Sequence, residues 1–299
     1  MVCREEAVVR LPSHNAKFCA HHFDQFFLRQ VDKAIRKFKM LSEGAKVVVA
    51  VSGGKDSLAV ADALSRLGFE VVGFHIDLGI AQDEFSRLSL EASRQFFAKI
   101  DRPLAVYSVL EKFGKPITEV VQGFKRPCAV CGLTKRHIMN EFASRQDAQA
   151  IATGHHLDDL TGALLANVLR WDVRYLQKTL PVLPAKDGFA KKIKPLALVA
   201  EEEVRTYVRL RGIQYVSLAC PFSKDARFKR LRALLDQLES ESPGTKRSFY
   251  ETFLRVAHVF SAQENGRQMV LCRSCGLPAA SDPCAFCRLW GKTLEREPQ

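Results

Sequence analysis

The strongest constraint on the fold is an apolar run at residues 47–51 (VVVAV) that ends in the glycine loop 52–57 (SGGKDS). An apolar run without alternation is typical of a strand buried on both faces of a parallel sheet. Beyond the loop, apolar residues recur at helical spacing as far as Leu67, and Gly68 stands where a helix C-cap belongs. The order of strand, glycine loop and helix predicts a phosphate-binding site.

Each residue type in this loop suits an anion. Gly53 and Gly54 permit positive φ angles and close approach of the backbone, and the amides and dipole at the helix start favour negative charge. Lys55 adds a full positive charge. The spacing is neither the G-x-x-x-x-G-K-[ST] of P-loop kinases and GTPases nor the G-x-G-x-x-G of dinucleotide folds. An ordinary glycine turn is the alternative.

Strand and helix patterns alternate along the rest of the chain. We expect strands at residues 70–76, 104–109 and 148–154, and helices at 86–100, 130–146, from 157 onward and at 201–211. This alternation predicts an α/β fold with a doubly wound parallel sheet. Ligands bind such sheets at the carboxyl ends of the strands. The loop at 52–57, residues 75–77 and residues 153–155 all fall at such ends, so we expect them to line one crevice.

Composition places the chain among soluble proteins. Of its 299 residues, 47% are hydrophobic and 26% are charged. No apolar run approaches the roughly 20 residues of a membrane span. The N-terminal segment lacks a hydrophobic signal core, which argues against secretion. We therefore expect a cytoplasmic protein without a membrane partner.

The charge balance favours a polyanionic partner. The formal net charge is +12, and phosphate contacts with release of counterions attract such a chain to nucleic acid. Two groups of basic residues are candidates for the contact: Lys33, Arg36, Lys37 and Lys39, and then Lys224, Arg227, Lys229, Arg230 and Arg232. The alternative is two solvated helix faces.

Nine cysteines in a protein of this kind indicate metal or redox chemistry. The four nearest the C-terminus form two C-x-x-C hooks: Cys272, Cys275, Cys284 and Cys287. Four thiolates at this spacing predict a closed, structural zinc ribbon. Unrelated cysteines or a disulfide pair are the alternative.

The N-terminal group is less complete. Cys19 and His22 have hook spacing and Cys3 precedes them, but a fourth cysteine is missing from the sequence around Cys3. Zinc accepts carboxylate or further histidine ligands, so Glu6, His14 or His21 could complete the site. Loss of this zinc is the alternative.

A third group combines Cys128 and Cys131 with the distant Cys220. Three thiolates leave one position of a metal site open, which is a catalytic arrangement. A [4Fe–4S] cluster on these residues would expose one iron to an exogenous ligand such as hydrosulfide. The alternatives are a zinc with one water, a Cys128–Cys131 redox pair and inert buried cysteines.

The motifs "SGGKDS", "PCAVCGLTKR" and "ATGHHLDD", followed by Cys220 and the paired hooks, occur in one order. In this the chain closely resembles the tRNA 2-thiouridine synthetases of the two-thioribothymidine type, a branch of the PP-loop ATPases. The resemblance implies a PP-loop adenine nucleotide alpha hydrolase-like fold flanked by N- and C-terminal zinc modules. It divides the chain into four parts: a zinc module at 1–25, the catalytic domain at 26–221, a basic helical extension at 222–265 and a zinc ribbon at 266–299.

The resemblance also implies an activity. The enzyme would bind ATP with Mg²⁺, adenylate O2 of a uridine and replace that oxygen with sulfur, using a [4Fe–4S] cluster. In this family the target is uridine or 5-methyluridine 54 of the tRNA T-loop. The sulfur donor is a ubiquitin-like carrier with a C-terminal thiocarboxylate, or sulfide, and the enzyme is a homodimer.

We expect the ATP site to comprise Ala50, Ser52, Gly53, Gly54, Lys55, Asp56, Ser57, His75, Ile76, Gly154 and His155. Asp159 aligns with the catalytic aspartate and would hold the metal or orient the nucleophile. Lys135, one helical turn beyond Cys131, would stabilise charge on O2 or on the α-phosphate. Alternatively, Asp159 is an acidic residue that favours the start of a helix, and Lys135 is a surface lysine. The chain departs from the family at Leu160-Thr161, where Glu-Ala is usual.

Three other functions compete. A wobble-uridine tRNA 2-thiolase shares the loop and the flanking modules. A zinc-ribbon nucleic-acid-binding scaffold with an inactive ATP loop would keep the modules without the chemistry. An adenylating amidotransferase of the GMP synthetase kind is disfavoured, because the chain has no room for a glutaminase domain.

Overall fold

The computed structural model describes residues 3–81, 84–222, 226–263 and 269–291, with the backbone alone at 226–227 and 261–263. Within these residues the central sheet has six strands: β3 (Lys46–Val51), β4 (Glu70–Asp77), β5 (Leu104–Ser108), β6 (Ala150–Ala152), β7 (Val182–Leu183) and β8 (Lys192–Ile193). Their spatial order is β5-β4-β3-β6-β8-β7. All neighbours pair in parallel except β7, which pairs antiparallel with β8 at one edge.

Helices follow most of the strands. Those before β6 are α1 (Ala20–Lys37), α2 (Lys55–Arg66), α3 (Phe85–Lys99), α4 (Val109–Phe113), α5 (Ile117–Val120) and α6 (Pro127–Ser144). Those after it are α7 (Leu157–Val168), α8 (Val173–Gln177), α9 (Glu201–Leu210), α10 (Ala226–Glu241), α11 (Thr245–Val256) and α12 (Ala285–Trp290).

The two faces of the sheet carry two separate hydrophobic cores. Along β3, Val47, Val49 and Val51 pack into a core shared with α1, α2 and α9, whereas Val48 faces the opposite core with Phe74 and α6. Successive side chains of a strand point to opposite faces, so an unbroken apolar strand is buried on both sides. The predicted doubly wound parallel sheet is confirmed.

The strand order reverses next to β3. From β3 the chain adds β4 and β5 on one side, and it then crosses over to place β6 on the other side of β3. At such a switch point the connections leave in opposite directions and open a crevice above the carboxyl ends of the strands. The loop at 52–57 follows β3 and residues 153–155 follow β6, so both border this crevice.

A small module built on a β-hairpin lies near each end of the described chain. The N-terminal hairpin pairs β1 (Val9–Leu11) with β2 (Ala16–Phe18), and the C-terminal hairpin pairs β9 (Val270–Leu271) with β10 (Pro278–Ala279). The C-terminal module rests on α6: Trp290 Nε1 donates a hydrogen bond of 3.1 Å to Thr134 Oγ1, and the Phe286 ring stacks on His137 with centroids 3.7 Å apart.

The predicted elements match the described ones closely. The strand expected at 148–154 is shorter, and the helix expected at 130–146 begins earlier, at Pro127. The division into four parts stays a prediction, but α1 runs across its first boundary, and α10 and α11 pack against α7 of the catalytic domain. Among the described residues, no helix combines the length and apolarity needed to cross a bilayer.

Candidate functional site

Two glycines shape the phosphate loop. Gly53 has φ of +73°, and a Cβ there would lie 2.4 Å from the carbonyl oxygen of Ser89. A Cβ on Gly154, at the end of β6, would lie 2.8 Å from the backbone nitrogen of Ser57. A side chain fits at neither position, so glycine allows the loop, α3 and the end of β6 to approach closely.

The hydroxyl of Ser57 holds the loop from within. Ser57 Oγ donates a hydrogen bond of 2.9 Å to the carbonyl of Gly54 and accepts one of 3.2 Å from the backbone amide of Ser52. Gly54 is the N-cap of α2 and offers no side chain to the first amides of the helix. The start of α2 therefore presents backbone donors to the crevice, as an anion site requires.

A cavity of about 410 Å³ opens above this loop. Its lining joins residues from four parts of the chain: Ala50, Val51, Ser52, Asp56, Ser57, Phe74, Ile76, Lys135, Met139, Thr153, Gly154, His155 and Asp159. The structure thus brings Lys135 and Asp159 into one cavity with most of the residues assigned to ATP. Gly53, Gly54, Lys55 and His75 border the loop or the strand but are not among the described residues that line the cavity.

Lys55 is held by two carboxylates. Its Nζ lies 3.0 Å from Asp56 Oδ2 and 3.0 Å from Glu201 Oε1. Burial lowers the pKa of Lys55, but the two carboxylates outweigh it, and the pKa is raised overall. No sequence pattern indicated Glu201, which is the first residue of α9 and begins a run of three glutamates. Acidic residues in a first helical turn are so common that this signal could not single it out.

The two neighbouring aspartates have different surroundings. Asp159 lines the cavity, its Oδ2 accepts a hydrogen bond of 3.4 Å from His156 N, and its Oδ1 lies 3.5 Å from Arg232 Nη1. Asp158 is buried, 2.5 Å from Lys246 Nζ. Burial raises the pKa of Asp158, but hydrogen bonds from His156 and Lys246 outweigh it and keep the pKa well below its usual range.

Arg232 connects this site to α10. The same guanidinium pairs with Asp159 and with Glu201, which in turn holds Lys55. A residue that the charge pattern placed in a surface patch therefore belongs to the wall of the site. The family departure at Leu160-Thr161 points inward: Leu160 is buried, and Thr161 Oγ1 donates to the Leu157 carbonyl at 3.0 Å.

His75 lies inside the protein rather than in the cavity. The ring is buried, and its Nδ1 lies 3.1 Å from Ser93 Oγ. Burial lowers the pKa of His75 to about 4, so the ring is neutral at physiological pH. The next residue, Ile76, does face the cavity, as the alternation of a strand requires.

The four C-terminal cysteines lie close enough together to hold one metal ion. Cys272 Sγ lies 3.9 Å from Cys287 Sγ, and Cys275 Sγ lies 3.8 Å from Cys284 Sγ. Thiolates on one zinc are about 3.8 Å apart, because Zn–S bonds are about 2.3 Å and the angles are tetrahedral. The donor set and spacing fit a closed zinc site.

At the N-terminus three donors meet. Cys3 Sγ and His22 Nδ1 lie 3.8 Å and 3.1 Å from Cys19 Sγ. A hydrogen bond with the side chain of Glu5 raises the pKa of Cys19. Among the described residues, the donors close enough to share one metal ion here are Cys3, Cys19 and His22. The alternative donors are engaged elsewhere: His14 Nε2 lies 2.8 Å from Glu203, and His21 Nε2 lies 2.8 Å from the Gln25 amide.

The inner cysteines converge across the sequence. Cys128 Sγ donates a hydrogen bond of 3.1 Å to the carbonyl of Phe222, two residues after Cys220. Cys131 is half-buried, and burial first, then the charges of Cys220 and Cys128, raise its pKa against the opposing effect of Lys135. Lys135 lines the cavity and also acts on the pKa of Cys131, so Cys131 lies near the cavity.

The spacing of the trio differs from that of the terminal sites. Among the described residues, the groups of three or more donors within 4.8 Å of one another are the two terminal ones, and the inner trio is not such a group. A cluster of several irons is larger than one ion and needs wider spacing of its thiolates.

The two groups of basic residues differ in how much of each is seen on the surface of the described structure. Lys33, Arg36, Lys37 and Lys39 are exposed on and just after α1, although Lys37 pairs with Glu251 at 3.0 Å. In the second group Lys229 and Arg230 are exposed on α10. Lys224 and the side chain of Arg227 lie outside the described residues.

A glycine loop at the switch point of a parallel sheet places the chain among the nucleotide-binding α/β proteins. The family model described as "PP-loop domain" matches residues 24–238, and the model described as "2-thiouridine synthetase TtuA, N-terminal LIM domain" matches residues 1–24. The chain is 38% identical to the tRNA-5-methyluridine(54) 2-sulfurtransferase of Pyrococcus horikoshii, over 98% of this chain and 94% of that protein. The chain belongs to the family of these PP-loop tRNA 2-sulfurtransferases.

Two further comparisons agree. The enzyme of the same name from Thermus thermophilus is also 38% identical, over 99% of this chain and 92% of that one. Among solved structures, the U34-tRNA thiolase NcsA from Methanococcus maripaludis with its [4Fe-4S] cluster superposes with a TM-score of 0.81 at 23% identity, over 99% of this chain and 97% of that chain. At that identity the match shows the fold alone.

Proposed function

We propose that this chain is an ATP-dependent tRNA 2-sulfurtransferase that thiolates uridine or 5-methyluridine 54 in the T-loop. One observation carries the proposal: Lys135 and Asp159 share a cavity with the phosphate loop, and Lys135 lies one turn after Cys131. Activation of a base by ATP and delivery of sulfur can then occur at one place. The name and high coverage of the 38% identical relatives support the substrate.

The activation step needs charge stabilisation at the cavity. O2 of the uridine attacks the α-phosphorus of ATP, a bond forms between O2 and phosphorus, pyrophosphate leaves, and the N3 proton of the base is released to water. Ser52, Ser57 and the first amides of α2 would bind the phosphates. Lys135 would stabilise the negative charge that gathers on the α-phosphate. Lys55 would reach the phosphates by exchanging its carboxylate partners for them.

Magnesium fits the acidic side of the cavity. Asp56 Oδ1 is buried, makes no hydrogen bond among the described residues and lies 3.8 Å from His156 Nε2, and Asp159 lines the same cavity. A carboxylate oxygen buried without a partner is costly unless a cation satisfies it. Asp56 and Asp159 would hold Mg²⁺, which neutralises phosphate charge when bound.

The sulfur step belongs to the cysteine trio. Cys128, Cys131 and Cys220 would hold a [4Fe–4S] cluster, which when bound supplies an iron with an open position for sulfur. Hydrosulfide attacks C2 of the adenylated base, a C–S bond forms, the C2–O2 bond breaks, AMP leaves with that oxygen, and the proton of the sulfur moves to N3. Lys135 lies where it can neutralise the departing phosphate. The U34-tRNA thiolase NcsA from Methanococcus maripaludis carries a [4Fe–4S] cluster.

The proposed enzyme also has metal ions at its two terminal cysteine groups, a sulfur donor and a defined oligomeric state. We propose zinc at both terminal sites, held at the N-terminal one by Cys3, Cys19 and His22, with a fourth position that a carboxylate oxygen can take. The sulfur donor would be sulfide or the thiocarboxylate of a ubiquitin-like carrier. The family resemblance supports a cytoplasmic homodimer, which light scattering of the purified chain tests.

The experiment is a thiolation assay with the full chain, reconstituted with iron and sulfide without oxygen. The substrate is tRNA transcript with ATP and sulfide, and mass spectrometry of digested nucleosides reads the product. We expect one sulfur per tRNA, and none when cytidine replaces uridine 54. Sulfur at position 34 would support a wobble-uridine thiolase instead, and the absence of thionucleoside from a cluster-loaded sample would overturn the proposal.

A further inference from the structure

The connection between α7 and α8 exposes aromatic side chains to solvent. Trp171 is 69% exposed and Tyr175, one turn into the next helix, is 49% exposed. Large aromatic side chains contribute most to stability when buried, so exposed ones close together indicate contact with a partner. This inference rests on the proposed function, because it concerns where the tRNA substrate docks.

Trp171 also stands in a backbone conformation that disfavours it. Its φ is +49°, in the left-handed region where glycine or asparagine is usual and a bulky residue is an outlier. Hydrogen bonds on either side maintain the turn: Trp171 N donates to Val168 O, and Asp172 N donates to Asn167 O, both at 3.0 Å. The positive φ of Trp171 therefore costs free energy in a conformation that exposes the indole to water.

The same segment is basic. Arg170, Arg174 and Lys178 are exposed in it, and Lys178 Nζ lies 4.0 Å from the centre of the Tyr175 ring. Its one acidic residue, Asp172, caps α8 by accepting a hydrogen bond from Tyr175 N at 3.4 Å. Cations interleaved with aromatic rings are the pattern of single-stranded nucleic-acid binding.

A second cavity connects this segment to the cysteine trio. It has a volume of about 550 Å³ and is lined by Lys125, Arg126, Pro127, Cys128, Ala129, Ala166, Arg170, Phe222, Phe228 and Leu231. None of these described lining residues is acidic. Arg170 belongs both to the exposed segment and to this cavity, and Cys128 forms part of the cavity wall. Basic side chains, among them Arg170, Arg126 and Lys125, thus lie between the exposed segment and Cys128.

We infer that Trp171, Tyr175, Arg170, Arg174 and Lys178 form a docking platform for the unpaired loop nucleotides of the tRNA substrate. Trp171 stacks on an unpaired base near the target nucleotide, and the three cations bind the loop phosphates. The second cavity lets the loop reach towards Cys128. We choose RNA over a protein as occupant because stacking rings beside a row of cations complement bases and phosphates together.

The test measures affinity of the reconstituted full chain for fluorescent tRNA by anisotropy, against an RNA duplex of equal length without unpaired bases. Trp171→Ala should weaken tRNA binding about tenfold, leave duplex binding nearly unchanged and keep the salt dependence of binding. Trp171→Phe should recover most of the affinity.

Arg174→Gln should lower the slope of log affinity against log salt by about 0.7 to 0.9. Phe189→Ala, at another exposed aromatic residue, is the matched control and should behave as wild type.

Trp171 also reports directly on contact. The chain has two tryptophans, and the other, Trp290, is buried. Bound tRNA should therefore protect the exposed fluorescence from acrylamide quenching, while the duplex should not. Quenching that tRNA leaves unchanged overturns the platform.

The outcomes separate this inference from the proposed function. If the wild type thiolates tRNA and Trp171→Ala keeps its affinity and KM, the platform is wrong and the function stands. If Trp171→Ala slows only the reaction with a protein sulfur donor, the surface binds a protein and the inference is also wrong. If the wild type neither binds nor thiolates tRNA, both fall.

Discussion

Lys55 Nζ lies 3.0 Å from the carboxylate of Glu201, a residue far away along the sequence at the start of α9. Burial raises the pKa of Glu201, but Lys55 and then Arg232 outweigh it and lower the pKa to about 2. The cation that the loop would use for phosphate is therefore held by acids before nucleotide binds. Entry of ATP must exchange these partners.

The Glu201–Lys55 pair predicts that Glu201→Gln binds ATP more tightly. Without that carboxylate, Lys55 loses one of its two competing partners and is freer to meet phosphate. The free energy of unfolding should fall by about 1 kcal/mol, since the pair is only partly buried. Calorimetry of ATP binding and urea unfolding check the two effects. Glu202→Gln, at the exposed neighbour, is the control, and weaker ATP binding by Glu201→Gln would contradict the account.

The phosphate loop predicts a large cost for Gly53→Ala. The new Cβ would meet the Ser89 carbonyl at 2.4 Å, and φ is +73°, so strain and overlap add. We expect a loss of more than about 3 kcal/mol in stability and loss of ATP binding. Gly44→Ala separates the two causes, because φ there is +65° and nothing lies within 4 Å of the added Cβ. It should cost only about 1 kcal/mol, and equal costs would contradict the steric argument.

The contact of the C-terminal module with α6 predicts a coupling between Trp290 and Thr134. Trp290→Phe leaves the buried Thr134 hydroxyl without its indole donor and should cost about 2 kcal/mol. Thr134→Val in the same chain removes that hydroxyl and should recover part of the loss. Urea unfolding of the two single variants and the double variant measures the coupling. Strictly additive losses would show that the hydrogen bond does not link the module to the helix that carries Cys131.

Burial of His75 predicts a pH dependence of stability. Its pKa is about 4 in the folded protein, against 6.5 for an ordinary histidine, so the unfolded chain binds the proton more readily. The contribution of His75 to the free energy of unfolding is fully present above pH 6.5 and is lost as the pH falls towards 4. Between pH 7 and pH 5 the loss should be about 2 kcal/mol.

Unfolding of His75→Asn at both pH values isolates the contribution of the ring. Asparagine can keep a hydrogen bond to Ser93 but does not titrate. Its loss of stability on acidification should be smaller than that of the wild type by about 2 kcal/mol. Equal losses in both proteins would show that His75 does not titrate as a buried group.

Local patterns were enough to predict the frame of this site. The apolar run before Ser52 and the helical spacing after it defined β3 and α2 almost to the residue, and residues 52–57 and 153–155 do border one crevice. These predictions succeed because strand burial and helix periodicity are properties of short segments, and because parallel strands end at a common edge.

Long-range partners could not be predicted in the same way. Glu201 meets Lys55 and Arg232 meets Asp159 only because α9 and α10 pack against the start of α2 and against α7. No spacing rule connects such residues. His75 was assigned to the ATP site because it lies at a strand end, but alternation along β4 turns its ring inward and Ile76 outward.

The central claim is that Cys128, Cys131 and Cys220 hold the centre that delivers sulfur beside the nucleotide cavity. The most direct test measures iron content, ATP affinity and tRNA thiolation in one anaerobic preparation of Cys220→Ser, with Cys3→Ser at the N-terminal metal site as control. The account predicts that Cys220→Ser loses its cluster and all thiolation while binding ATP as the wild type does, and that the control keeps both iron and activity. Full thiolation by Cys220→Ser would contradict it.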